Sequence, residues 1–93
     1  MLAQTPIDLT KVDKKNLDNQ IIRFGLIAEL DAINLYEQMA ALTKDENLKK
    51  VLLNVAKEEK EHVGEFQTLL LERDEEQAEE LEEGKKEVEE ITK

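Results

Sequence analysis

Residues 55–70, VAKEEKEHVGEFQTLL, decide the fold. Val55, Glu59, His62, Phe66 and Leu69 step by four, three, four and three residues, the spacing of one face of an α-helix. Three of the five are apolar, so Glu59 and His62 stand inside the stripe that packs rather than on the solvated side. A carboxylate removed from water costs several kcal/mol unless it is paired, protonated or bound to a metal. The stretch therefore predicts a packing helix with an unusual polar pair three residues apart.

Outward from it, the helix is expected to run from about Lys44 to Arg73, with Leu48, Val51, Leu52 and Leu70 extending the stripe. Before it, Asp13 to Leu42 contains neither proline nor a turn cluster, and Leu17, Ile21, Ile22, Leu26, Ile33, Tyr36 and Ala40 recur at three- and four-residue steps. The break between the two falls at Thr43, Lys44 and Asp45, where Thr43 with Glu46 reads as a capping box. A short connection between long helices predicts an antiparallel hairpin, each arm about 40 Å long at about 1.5 Å per residue. After a cap at Asp74, Ala78, Leu81, Val88 and Ile91 keep helical spacing among many glutamates, giving a third, weaker helix with Gly84 as a candidate interruption and a solvated acidic tail as the alternative. The domain reading is a lead-in over 1–12, a helical hairpin over 13–73 and an acidic C-terminal helix over 74–93. The fold class is all-α, half of a four-helix bundle that dimerisation would complete.

On the first helix, Leu26, Glu29, Ile33, Tyr36 and Ala40 share a face, so Glu29 and Tyr36 also interrupt an apolar stripe. His62 alone reads as an ordinary core or surface histidine; the phase agreement with Glu29 favours a shared cation. Residues three apart on a helix project side by side, letting Glu59 and His62 hold one ion while Glu29 reaches it from the facing helix. Di-metal carboxylate bundles use one Glu from each of two helices and a Glu-x-x-His from each of the other two. This chain has one of each and a single histidine, so a complete centre requires two copies. Four carboxylates balance two divalent charges, and oxygen-rich ligation with one imidazole per metal suits Fe(II) or Mn(II) better than structural zinc. The expected chemistry is oxidation of Fe(II) to Fe(III), with two irons per dimer, one per chain. Glu58, Glu61 and Glu65 fall to the flanks as a solvated face, with Glu58 and Glu65 as alternative ligands. Tyr36 reads as a buried tyrosine whose hydroxyl finds a hydrogen-bond partner, a metal ligand being one candidate. Asp31 reads as an exposed acid, with cation attraction near the approach to the site as its functional alternative.

The chain has 93 residues, 23 acidic against 13 basic, and a formal net charge of −10. That excess argues against nucleic acid or an anionic membrane as partner and is compatible with cation binding. Without cysteine there is no disulfide framework, zinc ribbon or thiol catalysis. No run approaches the roughly 18 apolar residues of a membrane helix. The N-terminal MLAQTPIDLTKVDKK lacks the basic-then-apolar order of a signal peptide, so a soluble cytoplasmic protein is expected. A chain this short buries its surface poorly alone, and self-association is the natural remedy.

Residues 27–40, IAELDAINLYEQMA, followed by 56–72, AKEEKEHVGEFQTLLLE, resemble the encapsulated ferritins, small ferritin-like proteins packaged inside encapsulin shells. The lone glutamate, the tyrosine seven residues later and the single Glu-x-x-His occur in that family's order. The resemblance implies ferroxidase ligands at Glu29, Glu59 and His62 with Tyr36 nearby, and an outer acidic iron-uptake position at Asp31. It departs at Ala28 and Leu35, where members carry an acidic residue and, in some branches, a tryptophan. It further implies an annular decamer of five dimers, location inside an encapsulin nanocompartment, and mineral storage in the surrounding shell. The shell would be reached through a targeting peptide or by direct fusion, and the Thr92–Lys93 end fits a domain of a longer polypeptide. Two rival functions remain: a peroxide- or oxygen-scavenging di-iron protein, and a non-enzymatic acidic oligomerisation or adaptor module.

Overall fold

A computed structural model describes residues 9–11 and 13–93. The lead-in expected over 1–12 lies largely outside the described residues; within it, Leu9–Lys11 forms a 3₁₀ turn. Three helices follow: α1 (Lys14–Leu42), α2 (Glu46–Arg73) and α3 (Glu75–Ile91). Among the described residues there is no strand, and no helix is long and apolar enough to cross a membrane.

Each helix begins on an aspartate. Asp13 accepts from the Asn16 amide at 3.0 Å, Asp45 from Asn47 and Leu48 at 2.9 and 3.1 Å, and Asp74 from Gln77 at 3.0 Å. Each cap satisfies amide groups that the first helical turn leaves without partners and contributes about 1 kcal/mol. The capping box expected at Thr43 is replaced by Asp45. Thr43 instead ends α1, its amide donating to the Met39 carbonyl at 3.1 Å while its hydroxyl accepts from the Asp45 amide at 3.2 Å. A carboxylate is the better acceptor at the positive end of a helix, and it takes two amides where a hydroxyl would take one. The interruption expected at Gly84 is absent: α3 is continuous through it. One glycine costs only about 1 kcal/mol of helix propensity, and an aspartate cap with Glu75 and Glu76 in the first turn offsets it.

α1 and α2 form the expected antiparallel hairpin and pack along their length, whereas α3 meets it near the C-terminal end of α2. The register is uniform. Asp18 pairs with Arg73 at 3.8 Å, Gly25 faces Phe66, and Glu29 lies 3.4 Å from His62. The seven residues from 18 to 25 match the seven from 73 to 66, and the four from 25 to 29 match the four from 66 to 62.

Among the described residues the buried apolar side chains are Ile22, Ala40, Ala56 and Leu70, and α3 contributes none. Many larger ones stay open: Leu30 is 52% exposed and Val51 60%. At about 25 cal/mol per Å² of apolar area, such side chains are worth more covered than wet. A single hairpin does not cover them.

Candidate metal centre

The three ligand-type residues converge in the middle of the hairpin. Glu59 and His62 are three apart on α2, so their side chains lie over the same strip of helix surface, and the antiparallel register sets Glu29 of α1 opposite them. His62 Nδ1 makes a hydrogen-bond contact with Glu59 Oε2 at 3.3 Å and lies 3.4 Å from Glu29 Oε2. One ligand atom from each residue falls within 4.8 Å of the other two. The carboxylate side chains are mostly covered, 20% exposed at Glu29 and 18% at Glu59, while the imidazole is 42% exposed. The cluster therefore opens through His62 toward the surface of the hairpin.

Glu29 Oε2 is buried and has no hydrogen-bond partner. Its 3.4 Å approach to the imidazole is within ion-pair reach, but the geometry is not that of a hydrogen bond. One Nδ1 proton cannot satisfy two carboxylates at once, and Glu59 has the shorter contact. A buried carboxylate oxygen without a donor is costly, and its lone pair is aimed where a cation would be bound. Ligand atoms around one ion at about 2.0–2.2 Å from it stand no more than about 4.4 Å apart, close to the spacing found here. Two carboxylates and one imidazole are hard and borderline donors, matching Fe(II) and Mn(II) and offering nothing to a soft metal. The residues present fit a divalent transition metal.

The other sequence candidates stand apart from this cluster. Tyr36 is half-buried two turns further along α1, its Cα about 10 Å along the axis from that of Glu29. Asp31 is half-buried, two residues past Glu29 and so on another face of α1, and it has an interaction partner of its own. Glu58, Glu61 and Glu65 are exposed, as their flanking positions predict; Glu58 accepts from Asn54 at 3.1 Å. A concavity of about 290 Å³ opens away from this cluster, between the three helices beside Leu26, Ile27, Leu70 and Leu81, and no carboxylate or imidazole lines it. Gly25 is the residue that sequence reasoning passed over. Its signal was a glycine inside an otherwise strong apolar helix, one turn before Glu29.

With this geometry in place, comparison with known proteins decides the family. The model of the EncFtn-like family matches residues 6–87. The chain belongs to the EncFtn-like family. Over 73 residues it is 62% identical to the ferritin-like-encapsulin shell fusion protein of Pyrococcus furiosus, a match covering 78% of this chain and 21% of that protein. Over 70 residues it is 41% identical to the encapsulin nanocompartment cargo protein EncC of Myxococcus xanthus, covering 72% of this chain and 54% of the relative. The match thus spans about a fifth of one curated relative and about half of the other. The crystal structure of the encapsulated ferritin domain from Pyrococcus furiosus matches with a TM-score of 0.84 at 53% identity, covering 99% of this chain and 94% of that one. The resemblance seen in the sequence is confirmed, and the hairpin with its third helix is the EncFtn-like fold.

Proposed function

We propose that this EncFtn-like chain is a ferroxidase whose active site is split between two copies. The observation that carries the reading is the buried, hydrogen-bond-free Oε2 of Glu29 beside Glu59 and His62. Each copy supplies two carboxylates and one imidazole, and the exposed His62 side of the cluster is where the second copy completes the set. Two Fe(II) ions are the substrate, one per chain. Four carboxylates draw the cations in and favour the higher charge of Fe(III), lowering the cost of giving up an electron. Dioxygen takes the two electrons, one from each Fe(II), and with two protons from solvent leaves as hydrogen peroxide. His62, fixed by its contact with Glu59, orients one nitrogen ligand. Tyr36, two turns along α1 from Glu29, is assigned a hydrogen-bonding role only in the assembled two-copy site, and Asp31 a cation-attracting role near the approach.

The assembly is a dimer at least, and a ring of five such dimers is our reading of the complete oligomer. Apolar side chains left open by the hairpin support association. Two relatives, one a ferritin-like-encapsulin shell fusion protein and the other an encapsulin nanocompartment cargo protein, support an encapsulin shell as partner, with oxidised iron stored inside the compartment in the cytoplasm.

The test is oxygen-dependent Fe(II) oxidation by the purified chain and its Glu29→Ala, Glu59→Ala and His62→Ala variants. The ferroxidase reading requires loss of most activity in each. Unchanged rates in all three would overturn it and return the chain to an adaptor role.

A further inference from the structure

One turn along the hairpin from the ligand cluster, α1 and α2 meet at a glycine and an aromatic ring. A Cβ built on Gly25 would stand 2.9 Å from Phe66 Cε1, 3.0 Å from Cζ and 3.1 Å from Cδ1. Carbon atoms pack best at about 3.5–4.0 Å, so any larger residue at 25 must push the ring or the helix away. Gly25 has no positive φ, so space and not backbone conformation is what the position needs. Glycine inside a helix costs about 1 kcal/mol relative to alanine, a loss this contact offsets. The other two glycines provide the contrast: a Cβ at Gly64 or Gly84 meets nothing within 4 Å.

We propose that Gly25 and Phe66 act as a spacer that sets the separation of α1 and α2 at the Glu29–His62 layer, making both of them positioning residues for the metal ligands. The inference rests on the metal-site reading above. Gly25 is one turn before Glu29 on α1, and Phe66 is one turn after His62 on α2, so each spacer residue sits on the same helix face as a ligand. The ring lies in the notch left by the missing Cβ and lets the two helices approach. Glu29 Oε2 and His62 Nδ1 then come within 3.4 Å. Metal bonds near 2.0–2.2 Å tolerate little change in that distance, so a displacement of the ring is read directly by the ion. The ring lies on the side of the cluster nearer Asp18 and Arg73, opposite in direction to Tyr36.

The experiment titrates Co(II) into the full chain and follows both affinity and the visible absorption bands, which report coordination geometry. Gly25→Ala is expected to weaken binding about tenfold or more and to change the bands, with helical content by circular dichroism preserved. In a Phe66→Leu background, which removes the ring edge, the same Gly25→Ala change is expected to cost less than about twofold. Phe66→Trp, which enlarges the ring against an intact Gly25, provides the same test should Gly25→Ala fail to fold; it too is expected to weaken Co(II) binding. Equal losses in both backgrounds, or unchanged affinity and bands in Gly25→Ala and Phe66→Trp, would overturn the spacer. A wild-type chain that takes up no Co(II) would instead overturn the metal reading itself, and the spacer with it.

Discussion

Arg23 and Asp74, 51 residues apart in sequence, lock α1 to the corner between α2 and α3: Arg23 Nη2 donates to Asp74 Oδ2 at 2.8 Å. The other oxygen of the same carboxylate caps α3 through the Gln77 amide at 3.0 Å. One side chain thus fixes both the start of α3 and its attachment to the hairpin. Asp74→Ala is expected to lower unfolding stability by about 1–2 kcal/mol, about 1 from the cap and less from the ion pair, because the Arg23 side chain is 46% exposed. Asp74→Asn keeps a capping oxygen and should lose less than Asp74→Ala. Urea unfolding at fixed chain concentration measures both, and equal losses would show that the cap contributes nothing.

Gly84 lies in the interior of α3 with open space where a Cβ would stand. Gly84→Ala should therefore stabilise the chain by up to about 1 kcal/mol, seen as a rise of a few degrees in Tm by circular dichroism. An unchanged or lower Tm would contradict a purely propensity-limited glycine at this position.

The hairpin was legible because α1 and α2 each keep one face at steady three- and four-residue spacing and because Thr43–Asp45 is the one turn cluster between them. The candidate site was legible for the same reason: Glu29, Glu59 and His62 are in phase with apolar neighbours, and phase survives folding. What helical spacing could not give is what covers a face. Leu48, Val51 and Leu69 belong to the α2 stripe yet are 47%, 60% and 42% exposed, since a single chain has no third layer to lay on them. The choice between Thr43 and Asp45 as cap was hidden because both residue types cap well and sit two apart. The Arg23–Asp74 bond and the Gly25–Phe66 contact were hidden because they join distant segments, and periodicity within one helix says nothing about partners on another.

Val51 and Leu69 share the stripe of His62, so on the present account they pack against the second copy beside the shared site. Val51→Glu and Leu69→Glu should place a charge in that interface, at a cost of several kcal/mol if it stays buried, and shift the chain toward monomer. Sedimentation would show the smaller species, and Fe(II) oxidation should fall with it while helical content holds. Retained activity in a fully monomeric Val51→Glu variant would contradict a split site.

Metal should strengthen self-association, because four carboxylates brought together repel one another until a cation lies between them. Dimer dissociation measured by sedimentation is expected to weaken with added Zn(II) or anaerobic Fe(II) and to strengthen with a chelator. His62→Ala should blunt the response. A dissociation constant that ignores metal and chelator alike would remove this coupling.

Native mass spectrometry of the purified chain, with and without anaerobic Fe(II), tests the shared half-site most directly. The account predicts even-numbered assemblies that gain two irons for every pair of chains, a gain lost in Glu29→Ala. Assemblies that take up no iron, or Glu29→Ala assemblies that take up as much as the wild type, would contradict it.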